Sequence, residues 1–159
     1  MCKPLCGQRF SKADTLQHMS EDSSRSVHIT RTGAQSFTVT NARGATLQIG
    51  EGQNDDFTPV ELLLAAIGGC NAVTVEALTK RSEPEQFDVD VHAQKTKSED
   101  GGTQLEDIRV TFAVEFPDDE PGRKMTERLP GAIEKSHRLY CTVGRTVEPG
   151  TPIAIELLE

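Results

Sequence analysis

Tryptophan is absent from this 159-residue sequence, tyrosine occurs once and phenylalanine six times. The core therefore has to rest on Val, Ile, Leu and Ala, and a core so poor in rings gains from added burial at a subunit interface. Positive charge is also short: 17 Lys and Arg stand against 25 Asp and Glu, a net charge of −8. That argues against a broad nucleic-acid or membrane-binding surface. Residues 1–26 are polar and lack the apolar stretch of a secretory signal. The apolar run Leu62–Ile67 is too short to span a bilayer, and Asn71, Thr74 and Glu76 follow it. No glycine loop of the phosphate-cradling kind and no internal repeat is present. The expected compartment is the cytoplasm, where Cys2, Cys6, Cys70 and Cys141 start as thiols.

Residues 1–24 carry little apolar periodicity and read as a flexible tail, with one domain over 25–159. Val27–Thr32, Ser36–Asn41 and Ala45–Gly50 read as short strands, joined by turns at "TGAQ" and "NARG". In "TPVE", Thr58 suits an N-cap, Pro59 the first helical position and Glu61 the capping-box position. Apolar residues on nearly every face predict a buried helix from there to Lys80-Arg81. Gly68 and Gly69 are tolerable inside it if another element approaches the backbone just before Cys70. "FDVDVHAQ" and "IRVTFAVEF" alternate with period two across "SEDGG", a hairpin. Asp118–Tyr140 reads as helical with a break at Pro130-Gly131, "CTVGRTV" as a short helix or turn, and "TPIAIELL" as a closing strand. The order βββ-α-ββ-α-β is of the α+β class.

Chemistry points to the thiols. A lone cysteine inside an apolar helix is usually a small buried hydrophobe. A reactive Cys70 would need an imported cation, because burial raises a thiol pKa and mid-helix placement forfeits the helix dipole. Cys141 follows "SHRLY" and opens "CTVGR", so a helix start there would offer backbone N–H groups to a thiolate. Two cysteines far apart in sequence, each beside a helix junction, suit a nucleophile with a resolving partner. "CKPLCGQRFSKADTLQH" has the look of a zinc finger (Cys2, Cys6, Phe10, Leu16, His18), but His28 falls ten residues after His18 and within a strand, so no metal is expected. His92 and His137 lack partners at ligand spacing.

"TPVELLLAAIGGC", followed about seventy residues later by "SHRLYCTVGRTV", resembles the OsmC/Ohr family of thiol-dependent hydroperoxide reductases. "GGC" with "YC" is closer to its YhfA-like branch. The resemblance spans roughly residues 25–157 and implies an intertwined homodimer with a buried central helix packed on antiparallel sheets. It maps the peroxidatic cysteine onto Cys70 and the resolving cysteine onto Cys141. It implies a stress-response antioxidant activity on organic hydroperoxides, through a Cys70 sulfenic acid and a Cys70–Cys141 disulfide reduced by an external dithiol. No cofactor or metal, nucleic acid or membrane takes part. The family's catalytic arginine maps best onto Arg31, with Arg43 its rival and Arg145 a further source of charge. Peroxidase members carry Asn-Pro-Glu at the helix start, the Glu holding that arginine. Here Thr58-Pro59-Val60 stands in its place, so Glu61 becomes the expected holder. The alternative expectation is a non-catalytic protein of the same fold that binds a small apolar ligand or senses thiol state.

Overall fold

The computed structural model of the protein describes residues 24–53 and 55–157. They fall into two compact units, the first ending at Phe57 and the second beginning at Thr58. The predicted tail lies almost wholly outside the described residues, as do Cys2, Cys6, Phe10, Leu16 and His18.

The first unit is a three-stranded antiparallel sheet in the order β1 (Val27–Gly33), β2 (Ser36–Asn41), β3 (Thr46–Ile49). Gly44 takes φ 87° between β2 and β3 at no steric cost, whereas Gln35 takes φ 52° between β1 and β2, an uncommon conformation for a residue with a side chain. Asn41 fixes the second turn, its Oδ1 accepting from the N–H groups of Arg43 (2.9 Å) and Ala45 (3.1 Å).

The second unit opens with α1 (Pro59–Thr79), capped as the sequence predicts: Thr58 Oγ1 accepts from Glu61 N, and Glu61 Oε2 accepts from Thr58 N at 2.7 Å. The long hairpin β4 (Gln86–Lys97) and β5 (Thr103–Glu115) follows, closed by Gly101 at φ 85°. β4 extends beyond both of its predicted ends, and β5 begins before its predicted start at Ile108 but stops one residue short of Phe116. Alternation in β5 breaks at Asp107 (φ 52°), where the register slips against His92–Gln94, so the strand's first half is out of phase with its second. Phe87 and Phe112 meet edge to face across the hairpin at 6.2 Å.

Helix α2 (Glu120–Lys135) runs through Pro130 without the predicted break. Pro130 is exposed, and the helix is anchored on both sides of it by buried Met125 and Ala132. That burial holds the axis against the loss of one backbone bond and the ring's clash with the preceding turn. A π-helical turn, Ser136–Tyr140, and a short α3 (Thr142–Val147) complete the unit. The predicted closing strand is not formed. Among the described residues no strand pairs with 151–157, and Ile153, Ile155 and Leu157 stand 86–93% exposed. Alternation prepares a strand, but only a neighbouring strand satisfies its backbone.

Helix α1 packs on β4 and α2 through one stripe: Ile67, Asn71, Val75 and Thr79 at spacing four, with Gly68 beside them. Its other faces still show Val60, Leu63 and Val73 to solvent, so one chain alone does not enclose this helix. Its 21 residues meet what a membrane span needs by length and composition, unlike the short run Leu62–Ile67 considered alone. The stripe it packs inward nonetheless carries two buried polar residues, Asn71 and Thr79.

Gly68 is where β4 comes closest. A Cβ there would lie 2.5 Å from Val91 Cγ2, whereas one at Gly69 would meet nothing within 4 Å. The two glycines should therefore answer oppositely to alanine. Gly68→Ala is expected to lose about 1 kcal/mol, an overpacking cost of roughly 1–3 kcal/mol reduced by alanine's helix propensity. Gly69→Ala is expected to gain up to about 1 kcal/mol. Urea unfolding midpoints of the two variants measure the difference.

Candidate functional site: two thiols and an amide

Two chain segments seventy residues apart meet on the inward stripe of α1. Cys70 lies midway along the helix, beside that stripe and partly open to solvent. Cys141 arrives at the end of the π-turn and is fully enclosed. Both thiols are free, and Cys70 is close enough to Cys141 to raise the pKa of its thiol.

The π-turn determines how Cys141 is presented. Its wider ring lets Cys141 N donate to Ser136 O at 2.8 Å, drawing residues 136 and 141 onto one side. Cys141 then serves as N-cap of α3, its Sγ accepting from Gly144 N at 3.3 Å. This is the helix start expected from "CTVGR". Its effect on ionisation is outweighed: enclosure pushes the Cys141 thiol above its usual range, Gly144 N–H draws it back, and neighbouring Cys70 raises it again.

Sequence reasoning missed the polar residues that organise this pair. Asn71 Nδ2 donates to Ile67 O at 3.0 Å and to Cys141 Sγ at 3.4 Å, while Asn71 Oδ1 accepts from Ser136 Oγ at 3.0 Å. Asn71 and Ser136 are both buried. The available signal was an amide at the centre of an apolar spacing-four stripe, a place where a polar group requires partners.

A raised pKa in the folded state has a defined sign. The native protein holds the Cys141 proton more tightly than the unfolded chain, so that stability is complete below the unfolded pKa and is lost as pH rises through the folded one. Thermal midpoints of the reduced protein are expected to fall as pH rises above about 8.5, and Cys141→Ser should flatten that part of the profile. Thermal scans from neutral to alkaline pH under reductant read both slopes.

The remaining candidates are placed as follows. Arg31 is exposed on β1, opposite Phe37, within the strand rather than in the turn after it. Arg43 lies in the β2–β3 turn. Both belong to the first unit, whereas Glu61, Cys70 and Cys141 belong to the second. Arg145 lies on α3 and donates from Nη1 to Leu139 O at 3.2 Å. Glu61 Oε2 is engaged by Thr58, whose hydrogen bonds hold this carboxyl below its usual pKa. His92 is exposed on β4, and His137 faces Glu148 at 3.3 Å on the surface. Among the described residues no three His, Cys, Asp or Glu side chains are gathered as a metal site would need.

A family model described as OsmC-like protein matches residues 52–156. An uncharacterized protein of Mycobacterium tuberculosis is 27% identical over 134 residues, covering 82% of this chain and 94% of its own. Solved structures share the fold. A hypothetical protein from Aquifex aeolicus superposes with TM-score 0.64 at 22% identity, covering 80% of this chain and 89% of its own. An OsmC-like protein of unknown function from Vibrio cholerae gives 0.65 at 15%, covering 79% and 94%. The organic hydroperoxide resistance protein OhrB of Bacillus subtilis gives 0.50 at 19%, covering 77% and 90%.

Proposed function

This chain belongs to the OsmC-like protein family, and on that premise we propose that it is a thiol-dependent peroxidase acting on organic hydroperoxides. The observation that carries this reading is the pair itself: a partly open thiol beside a buried one brought from seventy residues away, whose sulfur is held by Asn71, the residue next to Cys70. It agrees with the name of one structural relative, an organic hydroperoxide resistance protein.

In the proposed cycle Cys70 thiolate attacks one peroxide oxygen. The S–O bond forms, the O–O bond breaks, and the other oxygen leaves as the alcohol after taking a proton. Cys141 sulfur then attacks the Cys70 sulfenic acid, an S–S bond replaces the S–O bond, and water leaves. An external dithiol returns two electrons by thiol–disulfide exchange. Arg31 supplies the cation that faces the Cys70 thiolate and the peroxide, with Glu61 or another carboxylate holding it. The cytoplasm, which keeps resting thiols reduced, is the compartment that suits this cycle. Consumption of cumene hydroperoxide with dithiothreitol tests the reading; no turnover above that of Cys70→Ser would end it.

One feature favours a second reading. Val60 stands where peroxidase members carry the arginine-holding Glu, and the next carboxylate, Glu61, is engaged in the helix cap. A protein of this fold that binds a small apolar ligand or senses thiol state would need no activated Cys70. Absence of turnover with intact thiol pairing would select it.

The working unit in this proposal is a homodimer. Val60, Leu63 and Val73 on α1, together with Ile153, Ile155 and Leu157, are exposed apolar side chains that a second copy would cover. Sedimentation at micromolar concentration is expected to give a dimer that does not separate into folded monomers. A stable folded monomer would contradict it.

A further inference from the structure

Asn71 is an amide side chain, 5% exposed, on the stripe of α1 that packs inward. Ser136 Oγ engages its carbonyl end, which fixes its NH2 end toward Ile67 O and the Cys141 sulfur. Gly144 N–H reaches the same sulfur from the opposite segment. A purely structural thiol in an apolar interior needs none of these donors. Two N–H groups converging on one sulfur are suited to a thiolate.

We propose that Asn71 is a positioning residue for the reductive half of the cycle: it holds Cys141 as the leaving sulfur, so that an external dithiol attacks Cys70. This rests on the reading of Cys70 and Cys141 as a redox pair. One thiolate of the dithiol forms a bond to Cys70 Sγ while the Cys70–Cys141 S–S bond breaks. Its electron pair goes to Cys141 Sγ, where Asn71 Nδ2–H and Gly144 N–H receive the charge. The dithiol's second thiolate then attacks its own sulfur in the mixed disulfide, and Cys70 leaves as thiolate. The dithiol is oxidised by two electrons and becomes a cyclic disulfide. The protein disulfide is reduced by two, and the dithiol's two protons pass to the protein thiols or to solvent. Access points the same way, since Cys141 is fully enclosed and Cys70 is partly open. Enclosure still leaves the Cys141 thiol above its usual pKa, which opposes its departure, so the rate of exchange at Cys70 depends on the two donors that offset this cost.

The test oxidises the protein with diamide, which requires no peroxidase activity. One equivalent of 2-mercaptoethanol is added, the reaction is quenched in acid, and mass spectrometry locates the mixed disulfide. The adduct is expected on Cys70, with Cys141 a free thiol. Asn71→Leu keeps most of the volume and loses the donor. It should slow reduction by dithiothreitol about tenfold, the order expected for one hydrogen bond to a charged group, and shift part of the adduct to Cys141. Ser136→Ala leaves the donor but releases the amide, and should fall between the two. Circular dichroism checks that each variant is folded; should Asn71→Leu not fold, Ser136→Ala and the parent adduct decide. The proposal is overturned by an adduct on Cys141 in the parent, by failure of diamide to join Cys70 to Cys141, or by folded variants with parent-like rate and partition. Peroxide turnover is scored separately. A Cys70 adduct without turnover ends the peroxidase reading alone, and a Cys141 adduct with turnover ends this one alone.

Discussion

Replacing Cys70 with serine is expected to abolish consumption of organic hydroperoxide, while Cys141→Ser still releases one equivalent of alcohol. The asymmetry follows from the different tasks of the two sulfurs. Attack on the O–O bond requires a thiolate that peroxide can reach, and Cys70 is the partly open member of the pair. A serine hydroxyl at that position cannot take its place as nucleophile at neutral pH. Cys141 acts only afterwards, closing a disulfide on the sulfenic acid. In its absence the Cys70 sulfenic acid should accumulate, become trappable by dimedone, and advance to the irreversible sulfinic state under excess peroxide. Alcohol release measured against one equivalent of cumene hydroperoxide distinguishes the variants. Alcohol release from Cys70→Ser at the parent rate would assign the chemistry to another residue.

Arg31→Ala is expected to be nearly inactive, with Arg31→Lys impaired and Arg43→Ala much less affected, all three still folded and dimeric. Cys70 lies mid-helix, so it takes no help from a helix N-terminus, and its neighbours include Leu, Ile and Ala. A cation within about 4–6 Å favours the charged form of a thiol by roughly 1–3 pKa units, a tenfold to thousandfold change in thiolate population. Lysine keeps the charge but loses the planar fork able to contact sulfur and peroxide together. Rates of cumene hydroperoxide reduction across these variants rank the arginines. Loss in Arg43→Ala with retention in Arg31→Ala would move the role to the second turn. Retention in both would move it to Arg145.

Much of the fold was legible where local chemistry decides alone. The Thr58–Glu61 capping box, the glycine turns at Gly44 and Gly101, and the alternation of β4 with β5 are each set by residues close in sequence. Gly68 was legible too, since a glycine inside a helix implies close approach, and Val91 is what approaches. The misses are places where tertiary packing decides. Pro130 stays helical because buried residues grip α2 on both sides of it. The tail 151–157 has strand alternation but no strand beside it. Asp107 resets the phase of β5 through a bulge that depends on its backbone conformation. At the site, the two cysteines were legible from their motifs. Their link through Asn71 and Ser136 was not, because it depends on a π-turn that local propensity does not announce.

If Cys70 and Cys141 are the two ends of one peroxide-driven redox pair, peroxide alone should join them. The measurement treats the reduced protein with one equivalent of cumene hydroperoxide and maps its disulfides by mass spectrometry under non-reducing conditions. The predicted result is a Cys70–Cys141 disulfide formed together with one equivalent of alcohol. Recovery of both cysteines as thiols, or a disulfide that omits Cys70, would contradict it.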